Sequence, residues 1–298
     1  MIFVLSPNLQ KKFAVQTALA AADYLHEHGA VIRMEDRFAG VFPADRITFL
    51  PLEALWQGAD FAIAVGGDGT ILRCAGQILE DAAAHQSKPV KLVGINTGTL
   101  GFLAGFEANE LDMLGRLFSG DFAVTERMLL RTEISGGAKD GTVCHALNDI
   151  YASRTNGKIC NFAVSVDDRQ IGIYRADGII FSTPTGSTAY ALSAGGPVME
   201  PDLALIEMNL ICPHSLFARP MLFSPARQIR VTYRGVGNGG LNVHADGTQT
   251  ALLHNHHSFT VTRSERTMPF VDCKGSTFYD ALNGKLMQPI KRPGEEIL

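Results

Sequence analysis

Phe61-Ala62-Ile63-Ala64-Val65-Gly66-Gly67-Asp68-Gly69-Thr70 is the most informative segment of the chain. Five apolar residues in a row, with no alternation, read as a strand buried on both faces. The strand ends in three glycines around one carboxylate. Ile71 to Glu80 then spaces its apolar residues as a helix does, so the segment is a strand–loop–helix unit. Glycines let a backbone approach a ligand closely, and N–H groups at a helix N-terminus attract phosphate oxygens. Gly66, Gly67, Gly69 and Thr70 are therefore candidate phosphate-binding residues.

Asp68 adds a requirement. A carboxylate beside a phosphate cradle repels the ligand unless it serves a metal ion or takes a proton from an attacking hydroxyl. Both roles belong to phosphoryl transfer. The alternative is a tight turn in which Asp68 caps the helix. The loop lacks the Lys-Ser/Thr ending of a Walker loop and does not spell a dinucleotide fingerprint.

Outward from this segment, the first part of the chain alternates strand and helix. A strand is expected over Ile2–Ser6, a helix over Leu9–His28 stopped by Gly29, and strands at Ala30–Met34 and Lys91–Ile95. Asn109 is read as the cap of a helix running from Leu111 to Gly120. Such alternation predicts a mostly parallel sheet with flanking helices, an α/β domain over residues 1–122.

Near Asp121 the texture changes to short β-type runs separated by turn clusters, among them Asp167-Asp168 and Gly235 to Gly240. Residues 123–270 are expected to form a β-rich domain of sandwich type. A last helix near Phe278–Leu286 would let residues 271–298 pack back on the first domain.

Composition limits the partners. The 298 residues are 46% hydrophobic and 19% charged, with a formal net charge of −4. That balance argues against a general nucleic-acid binder or a basic membrane-docking face. No apolar run is long enough to span a bilayer. Five scattered cysteines without Cys-x-x-Cys spacing point to reduced thiols and a cytoplasmic protein. His254-Asn255-His256-His257 lacks third and fourth ligands at matching spacing, and no metal site is assigned to it.

Two further segments carry chemistry. Ser182-Thr183-Pro184-Thr185-Gly186-Ser187-Thr188-Ala189-Tyr190 follows a strand and is dense in hydroxyls suited to ribose, amide or phosphate partners. Tyr190 offers a flat face to a ring; the plainer reading makes Thr185 or Ser187 a helix cap. Asn148-Asp149 sets an amide beside a carboxylate, the one able to read an adenine edge and the other to accept ribose hydroxyls, though Asn-Asp is also common turn chemistry.

With these residues in hand, the chain resembles the bacterial NAD kinases over nearly its whole length. The ordered motifs are Gly66 to Thr70, Gly94 to Leu103, Leu147-Asn148-Asp149, Arg175-Ala176-Asp177-Gly178, Ser182 to Tyr190, Ser193 to Pro197, and Cys212 to Leu216 with Arg219-Pro220. The first motif is shared with phosphofructokinases and lipid kinases; the ordered set is specific. The resemblance implies a Rossmann-like α/β domain beside a β-sandwich-type domain. It implies transfer of the terminal phosphoryl group of ATP to the adenosine 2′-hydroxyl of NAD, giving NADP.

By the same resemblance Asp68 is the general base. It works with Mg2+, or another divalent metal, held mainly by nucleotide phosphates. Arg73 joins the phosphate cradle as a counter-charge. The NAD contacts would be Asp68, Gly69, Asn148, Asp149, Lys158, Arg175, Asp177, Thr185, Thr188, Ala189, Tyr190, Ser193 and Gln249. Family members are homotetramers in which a neighbouring subunit completes the site, so Asp177 would act across an interface. Asp149 stands where the family often has Glu, and Asp246-Gly247-Thr248-Gln249 has one residue more than the family's Asp-Gly-Gln motif. Two other readings stay open: a kinase acting on a lipid or phosphosugar, and a non-catalytic NAD(P)-binding regulator.

Overall fold

The computed structural model describes residues 1–98, 101–235, 239–275 and 277–286. Thr99 and Leu100 of the Gly94–Leu103 motif, part of the Gly235–Gly240 turn, and the chain beyond Leu286 lie outside them. The chain divides into two compact units, Met1–Thr125 with the described residues from Pro269 on, and Glu126–Met268.

The first unit is built on β1 (Ile2–Pro7), β2 (Val31–Glu35), β3 (Ile47–Leu50), β4 (Phe61–Gly66) and β5 (Lys91–Asn96). They pair in the order β3-β2-β1-β4-β5, and every pairing is parallel. Both sheet faces are covered, as unbroken apolar strands require. On one face Phe3, Leu5, Ile63, Val65, Val93 and Ile95 bury against the small side chains of α1 (Lys12–Glu27): Ala14, Ala18, Ala21 and Ala22. On the other lies α3 (Asp68–Ala84), following the single-turn α2 (Leu52–Leu55). Ile71 of α3 presses so closely on Gly94 that a β-carbon there would sit 2.6 Å from its Cδ1.

Two expected helices change. The first begins at Lys12, not Leu9, because Asn8 Oδ1 accepts the Gln10 N–H and Asn8 N donates to Val65 O, which keeps Asn8–Lys11 in a loop. The expected Leu111–Gly120 helix is a 3-10 turn, Leu111–Leu114, running into α4 (Gly115–Ser119). It is preceded by Glu110, and the side chain of Asn109 does not cap it. Gly120 ends it as expected, at φ 76°.

The second unit is a β-sandwich. After β6 (Phe106–Glu107) of the first unit come β7 (Ala123–Ser135), β8 (Val143–Ala146), β9 (Asp149–Arg154), β10 (Cys160–Val166), β11 (Arg169–Ala176) and β12 (Gly178–Ser182). Then follow α5 (Tyr190–Ser193), β13 (Ile206–Ile211), β14 (Met221–Phe223), β15 (Ile229–Tyr233), β16 (Leu241–Ala245), β17 (Thr248–Leu253) and β18 (Ser258–Asp272), with α6 (Thr277–Leu286) last. One sheet runs β14-β13-β12-β9-β16-β17; the other contains β11-β10-β15-β18. Their inner faces share one core in which Phe181 meets Phe259 edge-on, ring centroids 6.1 Å apart. The expected hairpin at Asp167-Asp168 is present: both residues take positive φ and Val166 faces Arg169. In the first unit, the Phe278 ring of α6 lies 6.3 Å from that of Phe102.

Candidate active site

Strand order reverses between β1 and β4, the place where parallel sheets leave a crevice for ligands. The loops that follow these two strands line a cavity of about 400 Å3. One wall is Pro7 to Lys11; the other is Gly67, Gly69, Thr70 and Arg73, with Arg37 and Phe38 at the side. Gly66 is needed because a β-carbon there would stand 2.7 Å from the Thr70 Cβ. The Thr70 hydroxyl accepts from Asn8 Nδ2 at 3.3 Å, tying the two loops together.

Three cations converge on this cavity. The ammonium of Lys11 sits 3.7 Å and 3.6 Å from where β-carbons of Gly67 and Gly98 would be, so it lies over two bare backbone segments. Arg37 is held by Glu35 at 2.8 Å. Arg73 has its pKa lowered by burial and then by the like charge of Arg37. Three cations with one carboxylate, Glu35, among them leave an excess of positive charge that favours an anion.

The Asp68 carboxylate points elsewhere. Asp68 is the first residue of α3, its cap position is taken by Gly67, and its oxygens accept the N–H groups of Phe102 (3.0 Å) and Leu103 (3.2 Å). It therefore does not cap its own helix. Gly101 makes room for it: a β-carbon there would fall 3.3 Å from Asp68 Cγ. The loop thus has a phosphate-type face of glycines and cations, and a second face bearing a fixed carboxylate.

In the second unit the structure gathers Asn148, Asp149, Thr185, Thr188, Ala189, Tyr190 and Ser193 at one end of β9 and β12, where Asp149 faces Ser182. Thr183 N donates to Asn148 O (2.9 Å) and Thr183 Oγ1 to Leu147 O (2.5 Å). Gly186 then packs flat on Asn148, 2.6 Å from its Cα if a β-carbon were present. Ser187 does not cap α5, because its hydroxyl bonds Pro184 O and Met199 N. Asn148 Oδ1 is buried without a donor in the protein, so it is open to an N–H from a ligand or a water.

Asp149 is 5% exposed, and its pKa is pushed up to about 7 by burial and by Asp246, against a Tyr190 N–H that lowers it. Around it stand Tyr190, edge-on to Tyr151 at 5.1 Å, and His244, stacked on Tyr151 at 4.5 Å.

Arg175, Asp177 and Lys158 are elsewhere in that unit. Asp177 precedes β12 at the end away from Asp149, about 16 Å off at the usual rise per strand residue. It is paired with Arg154 at 3.0 Å. Lys158 and Arg175 line a separate cavity of about 560 Å3 with Ile159 and Asn161. Gln249, on β17 opposite His244, is exposed and donates to Asn242 Oδ1.

Sequence reasoning missed Asn8, Lys11, Arg37, Arg154, Tyr151 and His244. A usable signal existed only for Asn8 and Lys11, which directly follow the first buried strand. Among the described residues, no group of three or more His, Cys, Asp or Glu is placed to hold a metal ion.

The ATP-NAD kinase N-terminal domain family matches residues 2–122, and the ATP-NAD kinase C-terminal domain family matches residues 147–273. The NAD kinase of Moorella thermoacetica is 34% identical over 97% of this chain and 90% of its own length. That of Symbiobacterium thermophilum is also 34% identical, over 95% and 98%. Among solved structures, an NAD kinase from Archaeoglobus fulgidus in complex with ATP superposes with a TM-score of 0.67 at 27% identity, covering 95% of this chain and 97% of that one. Yeast NADH kinase complexed with NADH gives a TM-score of 0.86 at 22% identity over 99% and 90%, a likeness of fold. The glycine loop lies within one family match and the Asn148–Ser193 cluster within the other, and on that double match the chain belongs to the ATP-NAD kinase family.

Proposed function

We infer that the protein is an NAD kinase that moves the terminal phosphoryl group of ATP to the adenosine 2′-hydroxyl of NAD, giving NADP and ADP. The observation that carries this reading is the two-sided loop: Gly67, Gly69 and Thr70 face a cavity rich in cations, while Asp68 between them is fixed on the Phe102–Leu103 backbone. A polyphosphate on the first face and an acceptor hydroxyl on the second would meet at this loop.

In the reaction, Asp68 takes the proton of the 2′-hydroxyl, the freed oxygen bonds the γ-phosphorus, and the bond to the β-phosphate oxygen breaks with its electrons leaving on ADP. A positioned base of this kind contributes about 10²–10⁴-fold. Lys11, Arg37 and Arg73 spread charge over the phosphates, with the backbone of Gly66, Gly67 and Gly69 as further donors. Mg2+ would fit here without a protein cage, held mainly by water and the nucleotide phosphates beside Asp68. When bound, it neutralises charge on the β- and γ-phosphates.

Asn148 and Asp149 hold the adenosine, with Thr185, Thr188, Ala189, Tyr190 and Ser193 as the surrounding NAD contacts. Asp177 serves the site of a neighbouring copy in a homotetramer, an assignment that its separation from Asp149 along β12 supports, and Lys158 and Arg175 are further NAD contacts. Gln249 sits at the rim as a polar contact. Five free thiols support a cytoplasmic setting. No helix among the described residues is long and apolar enough to cross a membrane.

The test is NADP formation from NAD and ATP with magnesium by wild type and Asp68→Asn in parallel. Magnesium-dependent product from the wild type alone supports the reading. Turnover with diacylglycerol or fructose phosphate but not NAD would move the acceptor to a lipid or phosphosugar. NADP binding by calorimetry without turnover from any donor would make the protein a regulator.

A further inference from the structure

Leu147, Asn148 and Asp149 donate three successive backbone N–H groups to one side chain. Leu147 N reaches Asp246 Oδ2 at 2.7 Å, and Asn148 N and Asp149 N reach Oδ1 at 2.8 and 3.2 Å. A return bond runs from Asp246 N to Asp149 O at 3.0 Å. Asp246 is itself immobilised. It is the first residue of a two-residue hairpin turn, at φ 47° with Gly247 at 79°, between Ala245 and Thr248, which face each other.

The opposite edge of the tripeptide is held by Thr183, which donates to the carbonyls of Leu147 and Asn148. Its backbone is thus satisfied on both edges by protein. What remains unsatisfied is on the side chains: Asn148 Oδ1 is buried and has no donor, beside the largely buried Asp149 carboxyl. A buried amide oxygen without a partner selects a ligand that brings an N–H.

We propose that Asp246 is the positioning residue of the adenosine subsite: its carboxylate shapes the 147–149 turn so that Asn148 Oδ1 meets the 6-amino group of adenine. The inference rests on the NAD kinase reading for the identity of the ligand. A 6-oxo purine would place an acceptor against an acceptor, so discrimination between the two bases depends on the aim of Asn148. A missing hydrogen-bond partner in a site built for one is rejected by large factors.

The experiment compares NAD with its deaminated analogue, nicotinamide hypoxanthine dinucleotide, using the full chain. Both ligands are titrated calorimetrically, and kcat and KM are measured with ATP saturating, for wild type, Asp246→Asn and Asn148→Ala. An Asn at 246 keeps the shape but replaces one accepting oxygen by a donor, so the three-bond grip is broken. The expected result for Asp246→Asn is an NAD KM raised at least tenfold, an ATP KM within twofold of wild type, and a preference for adenine reduced to within about threefold, in a protein with an unchanged circular dichroism spectrum.

Undiminished adenine preference in folded Asp246→Asn overturns the proposal. So does undiminished preference in Asn148→Ala, which decides the matter if the Asp246 variant does not fold. Because binding is read without turnover, a wild type that binds NAD selectively yet forms no NADP would refute the kinase reading and leave the subsite testable. A wild type that binds neither dinucleotide would refute both.

Discussion

Asp68 Oδ2 accepts the backbone N–H of Phe102 at 3.0 Å, so the carboxylate of the glycine loop after β4 is aimed by the loop that follows β5. The neighbouring N–H of Leu103 holds the other oxygen. Asp68→Asn keeps one amide oxygen for these donors and removes the base. Its kcat for NADP formation is expected to fall by about 10²–10⁴-fold. The dissociation constant for NAD should change by no more than about threefold, because ligand binding uses the residues around Asn148 as well. Rapid-quench and calorimetric measurements on the same preparation check both; a kcat within tenfold of wild type would remove Asp68 from the role of base.

Lys11 stands over the bare backbones at Gly67 and Gly98, and among the described residues it has no ion-pair partner. Lys11→Met keeps the length and the apolar stem while deleting the charge. A hydrogen bond to a charged group contributes about 1.5–3 kcal/mol, so the KM for ATP should rise roughly ten- to a hundredfold. The KM for NAD should stay within about twofold, and the salt sensitivity of ATP binding should weaken. Steady-state kinetics at two ionic strengths separates this outcome from a general loss of structure, which would raise both constants.

Gly186 lies against the backbone of Asn148, and a β-carbon would stand 2.6 Å from the Asn148 Cα. Backbone cannot swing aside as a long side chain can, so Gly186→Ala must push the 147–149 turn or the hydroxyl-rich loop. Overpacking of this kind costs about 1–3 kcal/mol. The expected result is a lower midpoint in urea together with a raised NAD KM at unchanged ATP KM. Gly69→Ala, where a β-carbon would meet nothing within 4 Å, is the control for a glycine without this constraint and should leave stability within about 0.5 kcal/mol.

The parts legible in sequence were those governed by local pattern. The unbroken apolar run Phe61–Val65 and its glycines fixed a buried strand and a tight turn, and Asp167-Asp168 marked a hairpin. The first helix starts later than its apolar spacing predicts because Asn8 diverts the backbone with one side-chain bond, a matter of a single residue within an apolar-spaced run. The Asp246 grip on Leu147–Asp149 spans about a hundred residues of sequence, and no periodicity reports such a pairing. Arg37 reaches the cavity beside the glycine loop because a 3-10 turn after β2 presents it there. The ordered motif set, by contrast, named Asn148, Asp149 and the Thr185–Ser193 residues that the structure gathers at one end of β9 and β12.

Asp149 titrates where a nucleotide enzyme works, pushed up to about 7 by burial and by the neighbouring Asp246. The groups facing it are Asp246, Tyr190 and Tyr151, with His244 behind Tyr151; burial raises both tyrosines and lowers the histidine, so none of these three adds a charge near neutrality. Burial raises Asp246 as well, against three N–H donors that favour its ionised form. An ionised Asp149 accepts ribose hydroxyls best, so the KM for NAD should fall severalfold as pH rises from 6 to 8. Asp149→Asn should flatten that profile, with the ATP KM unmoved in both. Stability runs the opposite way. Between the ordinary carboxylate value and about 7, the folded state holds a proton that the unfolded chain releases, so this contribution is present at low pH and lost as pH rises through 7. Urea midpoints of wild type relative to Asp149→Asn, measured without ligand from pH 5 to 8, should therefore decline with pH. A relative midpoint that climbs over that range would show Asp149 ionised throughout.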